Sequence, residues 1–499
     1  MKIAFATPEV LPFSKTGGLA DVSRSLATAL AGLGCEVTVF TPFYSSTATW
    51  FAANGLELSE VVLPYRVWIG DEQHALVFKT ARYGGLSYVF PCNDLFYERP
   101  HCYLGVDGED YPDNAARFAF FCRAVLEYCL ATRSVPDIFH AHDWQAALLP
   151  VYLETIYRRP ELARSSHLLT IHNMGYQGLF PAEELYATGL SWEQFTPETL
   201  EYYGKLNLLK GGIVYARAVN TVSPSYSIEI QTEAYGHGLH GIVRANHHKM
   251  SGILNGVDTS LWNPATDPFL PAQYSAERLG GKARCKRHLQ RSMGLPLRSE
   301  ALLLGMVSRF DGQKGIDLVL EALPAVAMLD IQLVMLGSGQ EELERSAKVL
   351  EQRYAQQVVV SLGFDEGLAH LIEAGSDAFL MPSRYEPCGL SQMYSQIYGT
   401  VPIVRETGGL RDTVRSFTPQ RLEAGKASGF TFRAYDAAKL AEAIRRAAKL
   451  FHTDRRTWQS LVQSIMRNDF SWNRSAKLYL RTYRHLANHL QQVLETSHG

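Results

Sequence analysis

The chain has 499 residues, of which 46% are hydrophobic and 20% are charged, and its formal net charge is -2. This composition is typical of a globular protein and indicates neither a nucleic-acid partner nor binding to an anionic membrane surface. No run approaches the ~20 apolar residues of a membrane span, the apolar opening is too short for a signal peptide, and the seven cysteines lack C-x-x-C spacing, so we expect a cytoplasmic protein with reduced thiols.

The first half of the chain predicts a parallel α/β fold with an antiparallel insertion. Strands are predicted at 3–7, 36–40, 137–140, 168–171 and 218–222, and helices at 19–33, 114–131 and 206–216. Residues 61–90 have the pattern of antiparallel hairpins, with a turn at Gly84-Gly85. The glycine- and histidine-rich segment 235–248 is expected to be a mobile loop just before the chain crosses to a second lobe.

The second half alternates short apolar strands with amphipathic helices. Strands are predicted at 302–308, 332–336, 358–362, 378–381 and 401–404, with helices at 316–323, 341–354, 366–374 and 390–398 between them. Such alternation predicts βαβ units and a parallel sheet covered on both faces. We therefore predict an α/β protein with two doubly wound, Rossmann-like domains, 1–245 and 246–499, facing each other across a central cleft. The last helix, at about 473–494, is expected to pack back on the first domain.

One phrase, T-G-G-L-x-D, occurs at 16–21 and again at 407–412. Each copy follows an apolar strand and opens a helix, so its paired glycines should leave backbone N–H groups uncovered as a seat for a phosphate or another electron-rich ligand atom. Two unrelated tight turns are the alternative, because glycine-rich turns are weak signals. Neither a G-x-x-x-x-G-K-[ST] nor a G-x-G-x-x-G motif surrounds either copy, which disfavours ATP hydrolysis and hydride transfer.

Charged residues follow two strands of the second half. Arg309 ends the strand 302–308 and Lys314 comes five residues later, and both side chains suit diphosphate oxygens, although a solvated surface pair is the alternative. Glu386, in R-Y-E-P-C-G-L, could accept sugar hydroxyls or offset an oxocarbenium-like charge; an exposed acid near a helix start is the alternative. Cys388 is expected to be a packed thiol rather than a nucleophile.

The first half carries H-x-H-D-W at 140–144. His140 and His142 could begin a metal-hydrolase site, but alternation places both on one face of a strand without a further set of ligands. We favour Asp143 as a contact to a substrate hydroxyl and Trp144 as a residue that packs or stacks. His172 stands alone at the end of its strand, where a structural histidine is the alternative. We favour a functional role because a polar and glycine-rich loop follows it, containing Asn173, Gly175, Tyr176 and Gly178.

With these residues assembled, the chain resembles glycosyltransferase family 5, the bacterial glycogen synthases and plant starch synthases, over nearly its whole length. The motifs that carry the resemblance are K-T-G-G-L-A-D-V (15–22), D-N and R-F (113–114, 117–118), H-A-H-D-W (140–144), T-I-H-N (170–173), Y-Q-G (176–178), L-N-G-V-D (254–258), S-R (308–309), Q-K-G (313–315), P-S-R-Y-E-P-C-G-L (382–390) and T-G-G-L (407–410). Met174-Gly175, where a bulkier pair is expected, departs from the pattern.

This resemblance implies a GT-B fold and transfer of glucose from ADP-glucose to the non-reducing end of an α-1,4-glucan, with retention. It also implies no metal, in keeping with the missing D-x-D motif, and no cofactor. The catalytic residues that it implies are Asp143, His172, Arg309, Lys314 and Glu386. The substrate-binding residues that it implies are Lys15, Gly17, Gly18, Asp21, Asn173, Tyr176, Asn255, Cys388, Gly389, Leu390, Thr407, Gly408 and Gly409.

Particular roles follow from the same resemblance. Lys15 and the first glycine pair line the donor site, Arg309 and Lys314 bind the diphosphate, and the second glycine pair caps a phosphate or the sugar. Glu386 holds glucosyl hydroxyls, and His172 lies beneath the anomeric centre. Three alternatives stay open: a sugar phosphorylase or nucleotide-sugar epimerase of the same fold, a non-catalytic glucan-binding protein, and the metal hydrolase. ADP rather than UDP rests on the family alone.

Overall fold

A computed structural model describes residues 1–106 and 108–497. These described residues divide into two compact units. The first unit comprises Met1–Gly256 together with the segment that begins at Trp472, and the second unit comprises Val257–Ser471. Within the described residues, no helix combines the length and the apolar character that crossing a membrane requires.

The first unit is built on a largely parallel sheet. Its strands are β1 (Lys2–Ala6), β2 (Glu36–Phe40), β3 (Ser59–Ile69), β4 (Glu72–Tyr83), β5 (Leu86–Cys92), β6 (Ile138–His142), β7 (Ser166–Ile171), β8 (Leu179–Pro181), β9 (Glu201–Tyr202), β10 (Lys205–Asn207), β11 (Ala218–Thr221) and β12 (Met250–Gly252). The main sheet has the order β12-β11-β7-β6-β1-β2-β5-β4-β3, and β8, β10 and β9 form a small antiparallel sheet. Strands β12 to β5 are parallel, whereas β4 and β3 pair antiparallel, as the hairpin prediction required.

Helices cover both faces of this sheet. They are α1 (Gly18–Gly32), α2 (Ser45–Asn54), α3 (Asp94–Tyr97), α4 (Asn114–Ala131), α5 (Asp143–Ala146), α6 (Leu148–Glu154), α7 (Leu185–Thr188), α8 (Leu208–Tyr215), α9 (Pro224–Glu229) and α10 (His240–Ala245), with 3₁₀ helices at Pro160–Leu162, Ala182–Glu184, Trp192–Gln194 and His247–Lys249. Every residue of the central strands β6 and β7 is buried. Even so, both strands contain polar residues that are buried with the rest: His140 and His142 in β6, and Ser166, His167 and Thr170 in β7.

The second unit is a parallel sheet with the order β15-β14-β13-β16-β17-β18. Its strands are β13 (Leu302–Val307), β14 (Ile331–Gly337), β15 (Val358–Leu362), β16 (Ala378–Met381), β17 (Val401–Arg405) and β18 (Phe430–Phe432). Its helices are α11 (Gly280–Ser292), α12 (Ile316–Ala322), α13 (Glu341–Arg353), α14 (Glu366–Gly375), α15 (Ser391–Ile397), α16 (Gly408–Thr413), α17 (Pro419–Glu423), α18 (Ala437–Thr453) and α19 (Arg455–Ile465), with a 3₁₀ helix at Leu323–Ala325.

The last helix, α20 (Trp472–Ser497), belongs to the first unit. Its buried residues Ala476, Tyr479 and Tyr483 share a core cluster with Ile3 and Phe5 of strand β1. The chain therefore leaves the first unit after Gly256 and returns to it at the start of α20, so this core contains residues from both ends of the sequence.

The α/β prediction of two doubly wound, Rossmann-like parallel sheets is confirmed. Each sheet has a switch point, where consecutive strands run outward in opposite directions: between β1 and β6 in the first unit, and between β13 and β16 in the second. Open α/β sheets bind ligands beyond the carboxyl ends of the strands at such a point. The loops that follow these four strands are therefore where the candidate site residues should lie.

One element prediction is wrong. Residues 235–248 were expected to form a loop, but their second half contains helix α10 and the start of a 3₁₀ helix. Leu239 and Val243 are both fully buried, and their spacing of four residues places them on one helical face. The burial of this face explains why a segment rich in glycine and histidine is helical.

Candidate active site

The first glycine pair lies at the switch point of the first unit. A carboxylate of the protein itself already accepts hydrogen bonds at part of the predicted anion-binding site. The Glu9 side chain is 3% exposed, and its Oε2 accepts hydrogen bonds from the backbone N–H groups of Thr16 and Gly17, the latter at 3.2 Å. The expectation that the paired glycines leave their N–H groups uncovered is therefore wrong for Gly17. Burial raises the pKa of Glu9 from its ordinary value of 4.5 to about 7, although both N–H donors act in the opposite direction.

Lys15 lies beside this loop and forms a surface ion pair with Asp21 of α1. Its Nζ lies 3.0 Å from Asp21 Oδ2, and the two side chains are 47% and 24% exposed. An exposed pair of this kind contributes little to stability, typically about 0–1 kcal/mol. The lysine can therefore exchange its carboxylate partner for an anionic ligand at small cost.

Asp143 follows β6 and opens helix α5 on the other side of the switch point. Its backbone is left-handed, with φ of 55°, a conformation that costs a non-glycine residue roughly 1–3 kcal/mol. In this conformation its Oδ1 accepts the backbone N–H of His172 at 2.6 Å, which joins the ends of β6 and β7. Burial raises the pKa of Asp143 from its ordinary value of 3.8 to about 7, against the lowering effect of two backbone N–H donors.

The sequence suggested that His172 stands alone at the end of its strand, but in the structure it contacts another histidine. Its Nε2 lies 2.9 Å from Nδ1 of His142, the second histidine of the H-x-H motif. Burial lowers the pKa of His172 from 6.5 to about 3, so the ring is neutral at physiological pH. The sequence could not show this contact, because it depends on β6 and β7 being neighbours in the sheet.

The loop after His172 is shaped by local contacts. Asn173 Oδ1 accepts the N–H of Gly175 at 2.9 Å, which turns the chain and leaves the side chain of Tyr176 exposed. Gly178 has φ of 64°, and a Cβ there would lie 2.5 Å from the Trp144 ring, so glycine is required. The departure at residue 174 places Met174 wholly inside the core rather than in a binding surface.

Asn255 follows strand β12 and lies one residue before Gly256, where the chain leaves the first unit. Its side chain is 6% exposed, and within the described part of the chain its Oδ1 is buried without a hydrogen-bond partner. An unsatisfied buried carbonyl oxygen costs roughly 1–3 kcal/mol. This residue, assigned to substrate binding from the sequence, thus has an unused acceptor.

In the second unit, the loops after β13 and β16 meet through an ion pair. The Nζ of Lys314 lies 3.0 Å from Oε1 and 2.8 Å from Oε2 of Glu386, and Ser383 Oγ donates to Oε2 at 3.0 Å. The side chains of Lys314 and Glu386 are 19% and 6% exposed. Asp311 Oδ1 accepts the N–H of Lys314 at 3.1 Å, and this turn aims the lysine at the carboxylate.

Arg309 lies in the same loop as Lys314, with a side chain that is 60% exposed. Its guanidinium is 3.5 Å from Oδ2 of Asp311. Arg309 and Lys314 therefore place two cations, each beside a carboxylate, at the carboxyl end of β13, where a doubly wound sheet binds its ligands.

The second glycine pair packs directly on the backbone that carries Glu386. A Cβ on Gly408 would lie 1.9 Å from the carbonyl oxygen of Glu386, and one on Gly409 would lie 2.0 Å from that of Cys388. The N–H of Gly409 donates to the Glu386 carbonyl at 3.1 Å. The expected uncovered seat is therefore wrong for Gly409, and this pair permits the close approach of two loops instead.

The remaining residues proposed for this half surround the same contact. Thr407 is fully buried and precedes α16, and Cys388 is 5% exposed, as expected of a packed thiol. Gly389 has φ of 71°, and a Cβ there would lie 2.4 Å from Gln392, so glycine is required at this turn into α15. Leu390 is the residue immediately before α15.

The H-x-H motif does not have the geometry of a metal site. Both ring nitrogens of His140 are engaged, Nε2 by Thr170 at 2.6 Å and Nδ1 by Tyr483 at 2.8 Å. Across the described residues, no group of three or more His, Cys, Asp or Glu side chains is placed to hold a metal ion. A metal site was one alternative that the sequence left open, but in the structure the motif's first histidine forms structural hydrogen bonds.

Comparison with known proteins adds independent findings. Residues 2–245 match the starch synthase catalytic domain, and residues 293–458 match the glycosyl transferases group 1 domain. The chain is 45% identical to a glycogen synthase of Koribacter versatilis over 486 residues, which cover 97% of this chain and 98% of that protein. It is 41% identical to a glycogen synthase of Thermotoga maritima over 487 residues, with coverage of 97% and 98%.

A solved structure is similar over almost the whole fold. The catalytic domain of starch synthase IV from Arabidopsis thaliana, bound to ADP and acarbose, superposes with a TM-score of 0.87 at 34% identity. The match covers 98% of this chain and 99% of that one.

Proposed function

The chain belongs to the family of glycogen and starch synthases, and from this premise we propose that it transfers glucose from ADP-glucose to the non-reducing 4-hydroxyl of an α-1,4-glucan, with retention at the anomeric carbon. Glycogen or starch synthesis by a glucosyltransferase follows from the family itself. The adenine base, the acceptor hydroxyl and the stereochemical outcome are the parts that need a direct test.

The adenine base is supported by a solved relative. The starch synthase IV catalytic domain, 34% identical to this chain, was solved with ADP and acarbose bound. ADP is the leaving group that ADP-glucose would release. We therefore favour ADP-glucose over UDP-glucose as the donor.

The observation that carries the proposal is the meeting of two loops at the switch point of the second unit. One loop supplies two cations, Arg309 and Lys314, and the other supplies a carboxylate, Glu386, within 2.8 Å of the lysine. Cations of this kind stabilise the charge that develops on a departing diphosphate, and a carboxylate can accept hydrogen bonds from sugar hydroxyls. A nucleotide sugar is a ligand that needs both.

In the first unit we assign Lys15, Asp143 and His172 to the sugar and its phosphates. Lys15 carries an exposed charge beside the first glycine pair, and Asp143 and His172 lie at the adjacent strand ends. With a pKa near 7, the carboxyl of Asp143 can accept from or donate to a sugar hydroxyl. The neutral ring of His172 adds a further hydrogen-bonding group.

Retention is proposed to occur by substitution on a single face of the sugar. The bond from C1 to the phosphate oxygen breaks, the bond from C1 to the acceptor O4 forms on the same face, and the proton of the 4-hydroxyl passes to the departing phosphate oxygen. The Glu386 carboxylate is held by Lys314 and Ser383, so it is poorly suited to attack C1 as a nucleophile. The protein's contribution is then positioning and stabilisation of charge.

We also propose a cytoplasmic location. No disulfide joins any of the seven cysteines, all of which lie in the described residues, and all except Cys92 are buried. Cysteines without disulfides are usual in reducing compartments.

The test is incubation of the protein with maltotetraose and either ADP-glucose or UDP-glucose. We expect faster glucose transfer from ADP-glucose, and an α-1,4 linkage at the non-reducing end in the proton NMR spectrum of the product. Faster transfer from UDP-glucose would reject the proposed base. A β linkage in the product would reject retention.

A further inference from the structure

The two histidines of the H-x-H motif are fully buried on one face of β6, with ring centroids 4.0 Å apart. His140 is held by hydrogen bonds at both nitrogens, through Thr170 on β7 and Tyr483 on α20. His142 lies one pleat further along and contacts His172. The motif therefore connects the last helix with the end of β7, and its hydrogen bonds have a direction that can be worked out.

The donors and acceptors of this network can be assigned from Asn220 on β11. Its Oδ1 accepts the hydroxyl proton of Thr170 at 2.6 Å, and its Nδ2 donates to Tyr479 on α20 at 3.0 Å. Because the single proton of Thr170 is used in this way, its oxygen must accept from Nε2–H of His140. Nδ1 of neutral His140 is then an acceptor, and the Tyr483 hydroxyl donates to it. The His140 ring thus has a defined tautomer.

The orientation of the His142 ring is fixed by its neighbours. The ring lies between Phe5, at a centroid distance of 4.1 Å, and His140, at 4.0 Å. Its Nδ1 is 2.9 Å from Nε2 of His172. Its Nε2 is buried and has no hydrogen-bond partner among the side chains and backbone that the structure describes.

This orphaned nitrogen decides which histidine donates. If His172 donated from Nε2, neutral His142 would have to carry its proton on Nε2, as a buried N–H without an acceptor. If His142 donates from Nδ1, its Nε2 is an unprotonated nitrogen in an apolar setting. A buried N–H donor without a partner is rarer in proteins than an under-satisfied acceptor. Burial also keeps both rings neutral, because it lowers the pKa of His142 well below 6.5 and that of His172 to about 3.

We infer that His142 is a positioning residue that holds His172 in the Nδ1–H tautomer. Nδ1 of His172 then donates a hydrogen bond to the sugar during transfer and does not accept one. The part of this inference that concerns sugar rests on the proposed function, whereas the tautomer does not. A sugar hydroxyl that meets Nδ1 of His172 must accept, and its own proton stays available to a carboxylate. The H-x-H motif is thereby explained without a metal.

Two substitutions separate hydrogen bonding from packing. His142→Phe keeps an aromatic ring between Phe5 and His140 but removes the donor, whereas His142→Asn packs less well but keeps an N–H near the position of Nδ1. We expect kcat with ADP-glucose to fall about ten-fold or more in His142→Phe, and to be at least partly restored in His142→Asn. A role in packing alone predicts the reverse order. Equal values, or a higher kcat for His142→Phe, would overturn the inference.

His167 provides a matched control. It is also a buried histidine on β7, at the opposite end of the strand, and its Nε2 lies 3.0 Å from Glu154. His167→Phe and His167→Asn should lower the melting temperature without changing the kcat of the folded enzyme. A similar fall in kcat in these controls would attribute the His142 effect to general loss of structure, and would overturn the inference.

The tautomer itself is measured by nitrogen NMR of the intact protein labelled with ¹⁵N-histidine, with the His172 signals identified by their loss in His172→Gln. We expect the proton on Nδ1 in the wild type, and a mixture of the two tautomers in His142→Phe. A proton on Nε2 of His172 in the wild type would overturn the inference even if neither His142 variant folds. An Nδ1–H signal in a protein that does not use ADP-glucose would reject the proposed donor and leave the tautomer assignment standing.

Discussion

The ammonium of Lys314 lies within 3.0 Å of both carboxylate oxygens of Glu386, in a setting where neither side chain is more than one-fifth exposed. A buried pair of this kind adds little net stability, yet breaking it by removing one partner is costly. We expect Lys314→Met to lower the free energy of unfolding by about 3–5 kcal/mol, because it leaves the Glu386 carboxylate buried without its cation. Urea denaturation measures this loss.

The double variant Lys314→Met/Glu386→Leu serves as the control for that experiment. It removes both charges, so most of the lost stability should return while glucose transfer stays impaired. If the single variant is as stable as the wild type, or the double variant is no more stable than the single, the pair is not an energetically coupled unit.

From the sequence alone, the repeated T-G-G-L phrase predicts that an alanine substitution costs the same stability at both copies. The structure indicates different costs. A Cβ on Gly409 would lie 2.0 Å from the Cys388 carbonyl oxygen, whereas one on Gly17 would lie 3.9 Å from Glu9 Oε1, an ordinary contact. Gly409→Ala should therefore lose roughly 1–3 kcal/mol of stability, and Gly17→Ala less than about 1 kcal/mol. Comparable thermal shifts for the two variants would contradict this difference. Gly32→Ala, where a Cβ would meet nothing within 4 Å at the end of helix α1, is the control and should not destabilise the protein.

Glu9 should make stability depend on pH around neutrality. The pKa of about 7 in the folded protein exceeds its ordinary value of 4.5, so the folded state binds this proton more tightly than the unfolded chain does. Its stabilising contribution is thus complete below about pH 4.5 and is lost as the pH rises through 7. Relative to Glu9→Gln, the wild type should lose about 2.5 kcal/mol between pH 5 and pH 8.

The measurement is urea denaturation of the wild type and Glu9→Gln at several pH values, with the difference between them plotted against pH. This difference cancels the contribution of Asp143, whose pKa is also about 7, except for the charge repulsion by which Glu9 raises the pKa of Asp143. A difference that does not change with pH would show that the carboxylate stays ionised in its nest of backbone N–H groups.

Arg309 should act on the donor rather than on the fold. Its side chain is 60% exposed, so Arg309→Ala should leave the melting temperature nearly unchanged. Loss of a fixed donor to a developing negative charge typically costs about 10²–10³-fold in rate, and we expect a fall of that size in kcat/KM for ADP-glucose. Arg298 precedes β13 and is paired with Asp330, so Arg298→Ala removes a paired arginine outside the site and should leave the kinetics unchanged. Equal kinetics for the two variants would remove Arg309 from the site.

Much of the fold could be predicted from the sequence because buried parallel strands have a clear apolar signature. Strands β13 and β14 are apolar and buried at nearly every position, and helix α4 matched its prediction at both ends. The segment 235–248 was missed because its glycines and histidines concealed the buried pair Leu239 and Val243. The glycine and histidine content of this segment favoured a loop, because only two apolar residues with helical spacing indicated a helix.

The candidate site was predictable where it depends on strand ends and not where it depends on tertiary contact. The sequence identified Lys314 and Glu386 separately, since each follows an apolar strand, but their pairing requires β13 and β16 to be neighbours. Glu9 was missed because its partners are backbone N–H groups, which no side-chain motif reports. A carboxylate between the first strand and the first glycine pair was the available signal.

Tyr483 ties α20 to the β6 network, and its hydroxyl should be worth more than its ring contacts alone. It donates to Nδ1 of His140 at 2.8 Å, and both residues are fully buried. Tyr483→Phe keeps the aromatic ring but leaves this acceptor unsatisfied, so we expect a loss of about 1–3 kcal/mol in urea denaturation. Tyr203→Phe, at a side chain that is 87% exposed, should change stability by less than about 0.5 kcal/mol. If the two variants are equally stable, the hydroxyl does not hold His140, and the direction assigned to the network through Thr170 loses its anchor.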